Sequence, residues 1–121
     1  MTENPEGKQY DLEERSFEFA KQVRAFIKVL PKTMANFEDA RQLVRASGSV
    51  AANYIEANNS LSKKDFVMRI KICRKEDKEC RLWLRLLDNE EKQDVHKGQE
   101  SLTGEAAELV NIFGAILRKS Q

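Results

Sequence analysis

The chain has 121 residues, the size of one domain, and its 40% hydrophobic content is enough for a core, which argues against global disorder. Five Gly, two Pro, six Phe, two Tyr and one Trp are too few turn-formers and strand-favouring rings for a β-sandwich or barrel. The net charge is +1, from 21 basic and 20 acidic residues, so any nucleic-acid site must arise from charge patterning and not from net charge.

Met1 to Tyr10 is polar and reads as a flexible N-terminal tail, with a single domain over residues 11–121. From Asp11 the pattern is helical. Phe19, Val23, Phe26 and Leu30 recur at steps of four, three and four, and Glu13 and Glu14 suit a helix N-terminus. Pro31 ends this helix. Asn36 is the expected cap of a second helix over about 37–57, whose stripe is Ala40, Leu43, Ser47, Val50, Tyr54 and Ala57. Its centre, Ala46 to Ala52, is rich in small side chains. Gly48 there costs up to about 1 kcal/mol against Ala, and close approach of a neighbour offsets it. The stripe stays in phase across Gly48, which predicts one helix.

Ser62-Lys63-Lys64-Asp65 resembles a capping box and opens a third helix running to about Leu87. Phe66, Ile70, Cys73, Asp77, Cys80, Leu84 and Leu87 step regularly by four and three. Asp88 to Glu100 reads as the end of that helix and a polar linker. The last helix is expected over about 104–119, with Leu102, Ala106, Leu109, Phe113 and Ile116 on its stripe. Four such helices with short polar turns predict an all-α, up-and-down antiparallel four-helix bundle.

No apolar run approaches 18 residues, so no membrane span is expected. The N-terminus lacks the basic-then-apolar pattern of a secretory signal, and the expected address is cytoplasmic. Cys73 and Cys80 lie ~10.5 Å apart along a helix axis, beyond disulfide reach, and read as reduced core thiols. The single His96 falls in the polar stretch, and no Glu-x-x-His, nucleophile-elbow, dinucleotide or CxxC pattern occurs. No catalytic residue, cofactor or metal is expected.

Asp77 falls on the core phase of the third helix, where a carboxylate is costly unless paired. Asn53, Glu56, Glu76, Asp77 and Glu79 are therefore read as a structural polar network, buried or at a subunit boundary, with Arg45 and Ser47 as further partners for Asp77. The alternative is that these groups edge into solvent. Lys71, Arg74, Lys78, Arg81 and Arg85 step three and four along another face of the same helix. The row spans roughly 21 Å, long enough to follow several phosphates of a duplex with a charge every ~1.7 Å. It is a candidate nucleic-acid-binding face. The pattern alone suits better a solvated face laced by ion pairs, or a subunit interface with acids opposite. Without interleaved aromatics for base stacking, binding would go to the backbone with little sequence preference.

The runs Phe17 to Lys21, Leu30-Pro31-Lys32, Gln42 to Ala57, Ser62 to Phe66, Ile70 to Glu76, Lys78-Glu79 and Trp83-Leu84 resemble the bacterial four-helix-bundle proteins, also known as intervening-sequence proteins of large-subunit ribosomal RNA. Ser47-Gly48-Ser49-Val50-Ala51-Ala52-Asn53 with Glu56 is the most specific part. The resemblance implies a homopentameric ring of antiparallel bundles. It also implies kinship with the accessory proteins of diversity-generating retroelements, which partner a reverse transcriptase and contact nucleic acid. Asn53, Glu56 and Glu79 match positions typical of the family, whereas Asp77 departs from it, a small residue being expected there. The favoured reading is a non-enzymatic oligomer associated with RNA or DNA through the basic row. Its rival is a structural scaffold or protein-partner module.

Overall fold

The computed structural model describes Pro5 to Ser120, with side chains from Leu12 onward. Four helices follow one another: α1 (Pro5–Ile27), α2 (Met34–Asn58), α3 (Lys63–Leu86) and α4 (Gln93–Lys119), with no strand among the described residues. Each packs on its neighbour in the chain, and α4 returns to α1 to close an up-and-down antiparallel bundle. Of the expected tail, Met1 to Asn4 lies outside the described residues, and α1 begins at Pro5.

The core is built from four stripes that repeat every three and four residues, the spacing that keeps one flank of a helix against its partners. Leu12, Phe19, Val23 and Phe26 on α1 meet Leu43, Val50 and Tyr54 on α2. Ile70, Cys73, Cys80 and Leu84 on α3 and Leu102, Ala106, Leu109 and Phe113 on α4 complete it. The rings of Tyr54 and Phe113 meet across the core, centroids 6.1 Å apart. α2 is continuous through Gly48, as its phase predicts. The space beside Gly48 is used by Arg24 of α1, whose guanidinium would stand 3.3 Å from a Cβ there and donates to the Val44 carbonyl at 3.4 Å. Cys73 and Cys80 are buried free thiols, as expected.

Besides α1, which starts at Pro5 and already ends at Ile27, two boundaries differ from the sequence-based expectation. α2 starts at Met34 because Thr33, not Asn36, is its cap: the Thr33 hydroxyl accepts from the Asn36 N–H at 3.0 Å. Asn36 is buried instead, and its amide donates to the carbonyls of Pro31 and Asp88 and accepts from the Asp88 N–H. It ties the start of α2 to the end of α3. α4 starts at Gln93, some eleven residues before the expected 104, so His96 lies on a helix and not in a linker. Val95 and Gln99 extend the α4 stripe backwards in phase. Val95 is buried, and the Gln99 amide donates to the carbonyls of Leu84 and Leu87, satisfying the frayed end of α3. Glu90 and Glu91 make the turn with positive φ, their N–H groups held by Asp88 and Asn89 side chains.

Two glycines of α4 should respond oppositely to the same substitution. Gly104 has open space around a Cβ, so Gly104→Ala should raise stability by up to about 1 kcal/mol in urea unfolding. A Cβ on Gly98 would stand 2.9 Å from two ring carbons of Phe26, so Gly98→Ala should lower stability despite the better helix former.

Candidate nucleic-acid interface

α3 is begun by Ser62, whose hydroxyl accepts from the Asp65 N–H at 3.0 Å, as the capping pattern predicts. From there the helix carries its cations at steps that place them on one flank. Lys71, Lys78, Arg81 and Arg85 are exposed, and Arg74 is half-buried. None of the five is ion-paired among the described residues. The five do not form one uniform row. Lys71, Arg74 and Lys78 line an open groove of about 670 Å³ between α3 and α4, joined there by Lys75 and by Arg118 from the last turn of α4. Arg81 and Arg85 lie further along α3, outside that groove. The groove holds one carboxylate, Glu79, and Lys75 stands 3.8 Å from it and 3.6 Å from Glu76. Five cations against one acid give this groove a positive potential that the net charge conceals. Arg118 was not singled out in the sequence; the antiparallel pairing of α3 and α4 brings the chain's last turn beside Arg74.

The polar residues separate into distinct surroundings. Asn53 donates to the Ser49 carbonyl and hydroxyl and accepts from Arg69 at 2.9 Å, which joins α2 to α3. Glu56 is exposed, and Glu76 and Glu79 share Lys75. Within the single chain these four do not join Asp77. Asp77 is fully buried, and neither carboxylate oxygen has a hydrogen-bond partner. Arg45 points to solvent, and the Ser47 hydroxyl is used by the Val44 carbonyl of its own helix. Burial, reinforced by the charge of Glu105 on α4, pushes the Asp77 carboxyl up to about 8, so it is neutral below that pH. Burial likewise pushes the Cys73 thiol up to about 12 and the Cys80 thiol higher still, which leaves neither as a nucleophile at neutral pH.

Arg15 on α1 lies against the other flank of α4. Its guanidinium meets both carboxylate oxygens of Glu105 at 2.6 and 2.9 Å and Glu108 at 2.8 Å, tying α1 to α4. His96 is exposed beside Glu100 at 3.6 Å. Among the described residues no three His, Cys, Asp or Glu side chains gather in a way that could hold a metal. No described helix is long and apolar enough to cross a membrane.

A family model for the 23S rRNA-intervening sequence proteins matches residues 8–114. A crystal structure from Bacteroides thetaiotaomicron, described as a protein of unknown function from the S23 ribosomal protein family, superposes with a TM-score of 0.78. It is 27% identical and covers 92% of this chain and 98% of its own. No curated protein matches.

The buried Asp77 carboxyl sets a pH dependence of stability. Its folded pKa of about 8 lies above the unfolded value of 3.8, so the folded state binds the extra proton between them. The contribution is fully present below pH ~4 and is lost as pH rises towards 8, at up to about 1.4 kcal/mol per pH unit. In denaturant titrations the stability difference between wild type and Asp77→Asn should therefore fall with pH across that window. A pH-independent difference would show that Asp77 does not titrate there.

Proposed function

The chain belongs to the 23S rRNA-intervening sequence protein family, and on that premise we propose that it is a non-enzymatic, self-associating protein that meets RNA or other nucleic acid through the basic face of α3. The observation that carries the reading is the set Lys71, Arg74, Lys78, Arg81 and Arg85, held on one helix flank with no acid paired to any of them among the described residues. A face of unpaired cations at this spacing suits a phosphate backbone, because each contact releases condensed counterions. Such contacts carry no sequence information.

Self-association supplies what one weak face lacks. Met34 and Phe37, one helical turn apart at the start of α2, are 84% and 66% exposed, and Leu61, in the turn beyond its other end, is 100% exposed. We assign these side chains to contacts between copies in a homopentameric ring. Five repeated faces then gain avidity with no new contact in the protomer.

A labelled RNA duplex titrated with the protein, read by fluorescence anisotropy, tests the nucleic-acid face. Changing Arg74, Arg81 and Arg85 together to Glu should weaken binding by more than about tenfold at low salt, and the wild-type affinity should fall steeply as salt rises. Unchanged retention by the triple variant would overturn the reading in favour of a scaffold. Light scattering at micromolar protein should give a mass five times that of the chain; a monomer would remove the avidity argument.

A further inference from the structure

Two arginines from different helices converge on one glycine at the floor of the α3–α4 groove. A Cβ on Gly114 would stand 3.5 Å from Arg118 Nη1 and 3.6 Å from Arg74 Nε, so the two nitrogens lie within about 7 Å of each other. Neither guanidinium is paired with an acid among the described residues, and Arg74 Nε is buried with no hydrogen-bond partner. Two like charges held this close, one of them partly desolvated, repel unless an anion lies against both. Glu79 is the one acid lining the groove, and Lys75 already stands beside it. Gly114 is itself buried beneath the two arginines and puts no side chain between them.

We propose that this convergence is a seat for a single phosphodiester group, clasped between Arg74 and Arg118 above Gly114, which anchors the nucleic-acid backbone on α3. The inference rests on the nucleic-acid reading of the basic face and adds to it a specific position and a residue on α4. Arg74 and Arg118 supply planar, multi-donor cations suited to phosphate oxygens. Lys71 and Lys78 flank the seat and would attract neighbouring phosphates along the strand. Arg81 and Arg85 extend the track beyond the groove.

The test uses the labelled RNA duplex with three single variants and the Arg74, Arg81, Arg85 triple-Glu variant. Arg118→Gln removes an exposed cation and should weaken binding about fivefold and reduce the salt slope by about 0.9. Lys119→Gln removes an equal charge from the next position, which does not line the groove, and should change affinity less than twofold. Gly114→Ala places a methyl at ordinary contact distance from both arginines. It should fold with equal or better thermal stability yet bind several-fold more weakly. If Arg118→Gln and Gly114→Ala bind as wild type while the triple variant loses binding, the seat is wrong and the basic face stands. If the triple variant also binds as wild type, the face itself is wrong. Inorganic pyrophosphate displacing the duplex at equal phosphate concentration would show a seat for free phosphoanions, and would overturn the assignment to a backbone.

Discussion

Everything in this fold depends on four seams, each repeating at steps of four and three, being buried together. Burial is worth roughly 25 cal/mol per Å² of apolar surface, which is what holds long helices that would be marginal alone. The seams are not purely apolar. Ser16, Asn36, Ser47, Asp77 and Gln99 occupy seam positions on α1, α2, α3 and α4. Ser16 and Ser47 turn their hydroxyls back on carbonyls of their own helices. Asn36 and Gln99 do more: each reaches across to the end of α3 and satisfies backbone groups there. These two amides therefore fix the register in which α2 and α4 meet α3.

That division explains what could be read in the sequence. The helices, the bundle, the continuity of α2 through Gly48, the Ser62 cap and the buried thiols follow from periodicity and short-range chemistry. Asn36 misleads because an Asn before an acidic turn looks like a cap, and only the fold shows Asp88 arriving to claim its amide. Gln99 hides the first eleven residues of α4 for a related reason. A polar residue on the seam breaks the apolar count, although Val95, Gln99, Leu102 and Ala106 keep the same step. Residues whose partners lie 12 to 52 positions away cannot be assigned by local pattern.

Asp77 is the exception among the seam residues, since nothing receives it. A charged carboxylate there would be far more costly than an amide, and neutralisation is the way a desolvated acid persists. Its neighbours on the same seam, Cys73 and Cys80, are small and uncharged, so the carboxyl has no cation to hold it ionised.

Charge is sorted by helix pair in the same way. On one side of the bundle Arg15 is enclosed by Glu105 and Glu108, so the α1–α4 contact, the least extensive of the four, carries its own compensated charge. On the other flank of α4, facing α3, Lys75 alone has acids beside it, while Lys71, Arg74, Lys78 and Arg118 have no ion pair among the described residues. α4 thus turns Glu105 and Glu108 towards α1 and its terminal Arg118 towards α3. A chain with a net charge of +1 acquires a strongly basic groove only because the bundle order sets these two flanks of α4 apart. A helix-by-helix reading finds the α3 row, but the convergence of Arg74 and Arg118 on Gly114 belongs to the interface and exists only once the fourth helix has folded back.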